Sequence, residues 1–504
     1  MAFEANNLNV CKQVRFEKTQ FNVECNVPVA VDVQKVLSIC HNTQIESCEV
    51  LNGVINYSGT IELCVLLLSS DGEIISVNSS CPFTSKIENE KILMGSSAKI
   101  CVDIEECQVS NFSNGNMKVL CECVQSGFVL LNANVQTVSV GDDTICVLED
   151  EMSVCEFVGQ QKSSCNVESD VSIREPIKQI VNTASQVFVK SIECETGFVS
   201  VNGEVVTKIL YQTENDRFET SYVTDSFKEE IEFENCTNDS CCLVDARVKH
   251  SMEKCETDSA GKGVSAKFSI PVELTVFCFK EQKSQIAKDV YSIANELSLH
   301  EEEFEMTKFL TSENFEEKIG GVLTLDDDKP RVDKLMFVGG ANVNITNSYI
   351  SNGEVFVEGV TKTNAIYLND EENSLQSVLI EMPFVVSEKT KVEAEDIKLQ
   401  SQAMLFDVDV SVKKGREFSF DAKIKIRTDY FSCEKKKVLC SVDVGEKCRE
   451  SDCAIELLFA KSGQSAWDIG KEMKMKSDLI VMQNPDIVFP LQSDENIVLY
   501  RQKK

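Results

Sequence analysis

One constellation of residues occurs three times along the chain and constrains the fold more than any other feature. Each copy has two glycines six residues apart, and a phenylalanine follows the first glycine by 30, 30 or 31 residues. The copies are Gly53, Gly59 and Phe83; Gly197, Gly203 and Phe227; and Gly353, Gly359 and Phe384. This agreement predicts tandem repeats, and an array of large repeats is more often a scaffold than an enzyme.

The length fits a repeat array, since 504 residues correspond to three or four domains of ordinary size. We expect β repeats over residues 1–147, 148–294 and 295–455, followed by a small module over residues 456–504. The expected boundaries lie in acidic stretches that lack a regular apolar period.

Apolar residues occupy every second position over residues 119–124, 264–270 and 418–426. Such alternation is typical of strands with one face in a core and the other in water. The sequence therefore predicts a mainly β fold of three tandem β-sandwich-like repeats.

The repeated glycines and phenylalanines have structural interpretations. The first glycine of each pair is expected in a hairpin turn that needs a positive φ. The second lies inside the returning strand, where a bulge or a close backbone approach is the usual reason for glycine. The phenylalanine is expected in the core. Residues 176–180 and 330–335 begin with proline and carry apolar residues three apart, which predicts one helical turn in each.

The net charge of −32 argues against binding to nucleic acid or to anionic membrane surfaces. No stretch approaches the roughly 20 apolar residues of a membrane span, so membrane insertion is not expected. Residues 1–8 lack the basic and apolar regions of a secretory signal, which predicts a cytosolic protein.

The 23 cysteines are odd in number and are predicted to be reduced thiols. Cys64 and Cys278 lie in apolar strand patterns, where cysteine acts as a small hydrophobic residue. Paired C-x-x-C motifs are absent from the sequence, so we expect no metal site and no cofactor. The sequence leaves open a later role of these thiols in oxidative cross-linking.

The sequence contains no recognisable catalytic motif. His41, His250 and His300 lie far apart in the chain without a nucleophile motif beside them. We therefore predict no catalytic residues and a protein that is not an enzyme.

The last part of the chain has a different character. Residues 459–504 carry seven basic and six acidic side chains. A glycine turn, a serine placed as a helix N-cap, a Trp-x-Ile helix and an Asn-Pro pair resemble a LysM module, which implies a small βααβ fold with Trp467 as a core anchor. The resemblance implies that partners bind at Gly463, Ser465, Trp467, Asp468, Ile469, Lys471, Asn484, Pro485 and Asp486.

Three β repeats followed by this module resemble the SPOCS-domain spore coat morphogenetic proteins of Clostridia and Bacilli, SipL-like and more distantly SpoVID-like. The resemblance implies a scaffold in the mother-cell cytoplasm at the forespore surface. Its LysM-like module would dock on the coat-basement ATPase, and its SPOCS repeats would span outward as an acidic array towards other spore coat proteins. The alternative is a cell-wall protein whose module binds peptidoglycan or another glycan.

Overall fold

The computed structural model describes residues 3–113, 115–249, 252–257, 263–371, 374–394, 396–448 and 453–501. Within these ranges the chain forms twenty strands and two short helices, which confirms the predicted mainly β class. The strands fall into three groups of the same design, followed by a small C-terminal module.

The first group consists of two three-stranded antiparallel sheets, with strand orders β1-β6-β5 and β2-β3-β4. The long strands β1 and β6 pair at their full length, and the second sheet is formed by the chain between them. The strands are β1 (Phe3–Pro28), β2 (Val33–Leu51), β3 (Val54–Ser69), β4 (Ile74–Glu88), β5 (Ser97–Ser113) and β6 (Asn116–Val140).

The second group has the same arrangement, except that one strand runs through both sheets. β7 pairs first with β12 and then, from Ile177 onward, with β8, so the strand order is β10-β12-β7-β8-β9 with β11 also on β12. The strands are β7 (Ile145–Glu195), β8 (Phe198–Thr213), β9 (Phe218–Glu232), β10 (Ser240–Val248), β11 (Met252–Thr257) and β12 (Gly263–Ser292).

The third group returns to two separate sheets, with strand orders β13-β18-β17 and β14-β15-β16. Its strands are β13 (Asn295–Thr324), β14 (Val332–Ser351), β15 (Glu354–Asn369), β16 (Leu375–Lys389), β17 (Ile397–Lys413) and β18 (Glu417–Lys447). The C-terminal module follows as β19 (Ile455–Ala460), α1 (Ala466–Met473), α2 (Ser477–Gln483) and β20 (Glu495–Tyr500).

The structure explains why the two glycines and the phenylalanine recur together. The first glycine is in a tight turn with φ of +79°, +89° and +77° in the three repeats, which confirms the hairpin prediction. The second glycine stands directly opposite the phenylalanine on the neighbouring strand. A Cβ at Gly359 would lie 2.5 Å from Phe384 Cζ. Each phenylalanine ring therefore packs directly on the backbone of the second glycine, which has no side chain. The recurring residues form one cross-strand contact.

The predicted helical turns at residues 176–180 and 330–335 are wrong. Residues 176–180 belong to β7, and β14 begins at Val332. In each segment the pairing register shifts twice, as after Ile177 and again after Ile180. Each β-bulge adds one residue, so apolar side chains three apart still point to the same face of the strand.

Each group has its own core between its two sheets, as in a sandwich. The groups also share cores with one another. Leu66, Leu210 and Ile366 each lie seven residues after the second glycine of their repeat and meet in one buried cluster. The three repeats are thus related by an approximate threefold arrangement.

A second shared core joins the long sheets, and five of its six buried phenylalanines link different repeats. We call these five residues the phenylalanine cluster. Phe128 comes from the first repeat, Phe277 and Phe279 come from the second, and Phe309 and Phe431 come from the third. Neighbouring ring centroids are 5.3 to 6.4 Å apart. The repeats therefore pack around a common interior. The expectation that they span outward as an array is wrong, because the three repeats form one closed body.

The change Gly359→Ala tests the cross-strand contact. The added methyl group would lie 2.6 Å from Asn344 O as well as 2.5 Å from Phe384 Cζ, so we expect the free energy of unfolding to fall by about 1–3 kcal/mol. Urea denaturation measures it. The matched control is Gly141→Ala, where a methyl group meets nothing within 4 Å. Equal stabilities of the two variants would contradict this explanation of the constellation.

Candidate functional site

The C-terminal module that carries the predicted site residues is a compact unit with the order β19, α1, α2, β20. Its small core contains residues from every element and from the loop before β20. These are Ala460, Ile469, Met475, Ile480, Leu491, Ile497 and Leu499. Ile469, one of the predicted site residues, is fully buried in this core and holds α1 in place.

Ser465, Asp468 and Gly463 form the start of α1. The Ser465 hydroxyl accepts a hydrogen bond from Asp468 N, and the Asp468 carboxylate accepts one from Ser465 N at 2.8 Å. This reciprocal capping box satisfies free backbone donors of the first turn, and it lowers the pKa of Asp468 below its usual value. Gly463 has a φ of +89°, and its N–H donates to Leu491 O at 2.8 Å. These residues therefore shape the module.

Asn484 fixes the other end of the module, and it is 6% exposed. Its side-chain amide donates to Ile480 O and Val498 O, and its oxygen accepts from Val498 N, all at 2.9 Å. Pro485 and Asp486 follow in an exposed turn. Asn484 thus ties α2 to β20, while its two neighbours face solvent.

Trp467 does not join the core of the module, contrary to its expected role as an anchor there. Its indole ring packs edge-on against Tyr291 of β12, with centroids 4.7 Å apart. Its Nε1 donates to Asp289 Oδ2 at 2.9 Å. Asp289 is also on β12, so the only tryptophan of the chain holds the module against the second repeat.

Further contacts extend this docking interface along α1. The Lys471 ammonium lies 2.7 and 2.8 Å from the two carboxylate oxygens of Asp289. The Tyr291 hydroxyl donates to Met475 O at 2.7 Å, and a Cβ at Gly470 would overlap that hydroxyl. One face of the helix is thus fitted to the end of β12. The sequence pattern of the module did not reveal that α1 packs on the second repeat, because Asp289 and Tyr291 lie about 180 positions earlier in the chain.

The outer face of the two-stranded sheet β19-β20 is apolar and open to solvent. Ile455, Leu457 and Phe459 alternate along β19 and are 61%, 69% and 62% exposed. Tyr500, paired with Ile455 on β20, is 52% exposed. We call these four residues the apolar outer face. Contiguous exposed apolar side chains are typical of surfaces that bind another protein.

A cleft of about 630 Å³ lies where the three repeats meet, and three arginines line it in a closed circle of contacts. Arg15 donates to Leu399 O of the third repeat at 2.8 Å. Arg427 donates to Val189 O of the second at 3.4 Å, and Arg247 donates to Ile100 O of the first at 2.7 Å. Each arginine therefore joins its own repeat to a neighbouring one.

Buried charges beside the cleft also come from all three repeats. Lys99 Nζ lies 3.5 Å from Asp245 and 4.0 Å from Asp429, and all three side chains are buried. Burial opposes ionisation of Asp245, but Arg247 and Lys99 outweigh it and hold the pKa of Asp245 below its usual value. These charges neutralise one another, which fits a role in holding the repeats together.

The histidines do not form a common site among the residues that the structure describes. His41 Nε2 lies 3.1 Å from Asn342 Nδ2, and burial together with Lys362 lowers the pKa of His41 to about 4. His300 pairs with Asp443 at 2.8 Å. His250 lies outside the described residues. Within the described ranges, neither helix is long and apolar enough to cross a membrane.

Fluorescence of Trp467 can test the docking interface directly, because the chain contains one tryptophan. In Asp289→Ala the indole N–H and the Lys471 ammonium lose their acceptor, so we expect the docking equilibrium to shift by roughly tenfold or more. The emission maximum should move to longer wavelength as the indole meets water. Asp150→Ala is the matched control, since it removes another Asp–Lys pair on an exposed strand surface. An unchanged spectrum in Asp289→Ala would refute the interface.

Comparison with known proteins gives one result that bears on the repeats. Residues 32–111 and 176–255 both match the family model described as SipL, SPOCS domain. The second segment begins and ends 144 residues after the first, so equivalent parts of the first two repeats are matched. No curated protein and no solved structure gives a match. In these two segments the chain is similar to SPOCS-domain proteins, which supports a sporulation-related protein of the SipL type.

Proposed function

We propose that the protein is a non-enzymatic scaffold of spore coat assembly, and that its LysM-like C-terminal module docks on the coat-basement ATPase at the forespore surface. The match of two segments to the SPOCS domain supports the sporulation role. The apolar outer face of the module is the observation that carries the docking role, because more than half of each of its four large side chains is exposed among the described residues.

The docking interface decides which part of the module is free for a partner. Trp467 and Lys471 are engaged with Asp289 inside the chain. Gly463, Ser465, Asp468 and Asn484 serve the internal structure of the module. The partner therefore contacts the apolar outer face, together with the exposed turn at Pro485 and Asp486 and the exposed Met482.

The repeats form the body that the module attaches to the coat. The repeats carry the whole net charge of −32, because acidic and basic side chains are equal in number over residues 456–504, and this charge favours basic partners among the other spore coat proteins. A polymeric ATPase layer would present many docking sites side by side. Closely spaced copies of the scaffold then bind such a layer together with high avidity, although each single contact is weak.

The rival function, binding of peptidoglycan by the module, has less support. In the LysM resemblance the glycan contacts come from the loops after the first strand and before the last strand. Here those loops bind each other, because Gly463 N donates to Leu491 O and Leu491 N donates to Gln464 O. The exposed surface of the module is apolar at the sheet, which suits a protein better than a sugar chain.

The experiment is a pull-down of the full chain from lysate of sporulating cells, with Leu457→Glu/Phe459→Glu as the variant. Two carboxylates on the apolar outer face should reduce retention of the coat-basement ATPase at least tenfold, since burying one unpaired charge at an interface costs several kcal/mol. Val322→Glu/Val385→Glu is the matched control, because both valines are exposed strand residues of the third repeat.

Equal ATPase retention by the variant and the wild type would reject the apolar outer face as the docking surface. Sedimentation of the wild-type chain with purified peptidoglycan, without retention of the ATPase, would replace the scaffold function by wall binding.

A further inference from the structure

Four cysteines of the second repeat meet at one point of its core, although they are 42, 6 and 36 residues apart in the chain. Cys194 is on β7, Cys236 follows β9, Cys242 is on β10 and Cys278 is on β12. The sulfur atoms of Cys194, Cys236 and Cys242 all lie within 4.8 Å of one another. Cys278 is paired directly with Cys242 across the sheet.

The fourth cysteine belongs to the same cluster. The Cys242 thiol is close enough to both Cys194 and Cys278 to interact with them electrostatically, and the Cys236 thiol interacts with the same two residues. Three of the four side chains are buried, and that of Cys194 is partly buried. Four thiols from four different chain segments therefore surround one small volume, which we call the four-cysteine cluster.

The other repeats show what this position looks like when it serves packing alone. Cys194 lies three residues before the turn glycine, as do Val50 and Ile350. The Cys236 carbonyl accepts from Gly197 N in the same way that the Ile92 carbonyl accepts from Gly53 N.

The remaining two positions follow from the strand register. The pair Cys242 and Cys278 corresponds to Ala98 and Val129 in the first repeat and to Leu399 and Tyr430 in the third. All of these counterparts are apolar core residues or pack against a core. Packing in this fold thus needs no thiol at any of the four positions, yet the second repeat has a cysteine at every one.

We propose that Cys194, Cys236, Cys242 and Cys278 form a tetrahedral site for one zinc ion. Zinc–sulfur bonds of about 2.3 Å place the four sulfur atoms of such a site about 3.8 Å apart. The sulfur atoms of Cys194, Cys236 and Cys242 need to approach one another by no more than about an ångström to reach that geometry, and the Cys278 sulfur must move in from the neighbouring strand to complete it. Binding replaces the thiol protons by the metal, so up to four protons are released.

A zinc ion at this position would link the two sheets of the second repeat. Cys194 belongs to the part of β7 that pairs with β8, whereas Cys242 and Cys278 belong to the sheet of β10 and β12. The metal therefore clamps the end of the sandwich, with Cys236 contributed by the turn between the sheets. Closing a metal site across two sheets stabilises the folded state.

The decisive variant takes its residues from the first repeat: Cys194→Val/Cys236→Ile/Cys242→Ala/Cys278→Val. These side chains fill the same positions in a folded repeat of this chain, so the variant is designed to fold without metal. The full chain and the variant are purified from zinc-supplemented cells, and zinc is measured by plasma mass spectrometry. We expect about one zinc per wild-type chain and about a tenth of that or less in the variant.

The matched control is Cys81→Ser/Cys107→Ser, which removes two cysteines from the first repeat and should leave the zinc content unchanged. A chelator should lower the midpoint of thermal unfolding of the wild type and of this control, but not that of the four-residue variant. Replacement of zinc by cobalt should give the visible absorption of a tetrahedral thiolate site in the wild type and in this control, but not in the four-residue variant.

Three results would overturn the proposal. One is a wild-type chain with well below one zinc and no cobalt spectrum. Another is a mass two hydrogens lighter than the reduced chain, with a disulfide among the four cysteines. The third is a zinc content that the four-residue variant retains. None of these results bears on the proposed binding of the module to the coat-basement ATPase, so the two proposals are tested separately.

Discussion

The contact among the five phenylalanines at the centre of the molecule is the interaction on which the rest of the structure depends. Each repeat has two sheets, and each sheet has two faces. One face packs inside the sandwich, while the other would expose large apolar side chains such as Phe277 and Phe431 if a repeat stood alone. The three repeats cover these faces for one another, because burial of an aromatic ring is worth a few kcal/mol. A closed body is therefore the arrangement that leaves least apolar surface in water.

The polar contacts between repeats follow from that closure. Sheets brought together by an apolar centre leave backbone carbonyls at the seams, and Arg15, Arg247 and Arg427 donate to three of them. Lys99 and Asp245 are buried at the same place and neutralise each other. Breaking one member of such a set leaves an unpaired buried charge, so the seams favour one relative placement of the repeats.

The C-terminal module is attached to this body at the junction of the second and third repeats. Asp289 and Tyr291 end β12, and Glu296, near the start of β13, pairs with Lys474 at 2.8 Å. The module thus buries one face of α1 and leaves the sheet face of β19 open. The attachment holds the apolar outer face in a fixed direction relative to the body, which suits the proposed assembly on an ordered layer.

The candidate site shows which contacts can be predicted from residue patterns in the sequence and which cannot. The position of Ser465 predicted a helix start, since an N-cap serine is recognised from its own place in the chain, and the structure adds Asp468 as its capping partner three residues on. The role of Trp467 could not be predicted, because its partner Tyr291 is brought to it only by the packing of the module on β12. The same holds for the four-cysteine cluster, whose members share no short spacing motif and converge only when the strands pair.

The sequence by itself determined the repeat number, the β class and the glycine turns, and it recorded the fixed spacing between each glycine pair and its phenylalanine without revealing their contact. These features are set by neighbours in the chain or by one strand pairing, so a fixed spacing records them. Only the tertiary structure decided that the two segments with apolar residues three apart are bulged strands. It also decided that the repeats close around the phenylalanine cluster and that Trp467 faces outward from its module. Those outcomes depend on which apolar surfaces find each other across long stretches of chain, and spacing along the sequence does not encode that choice.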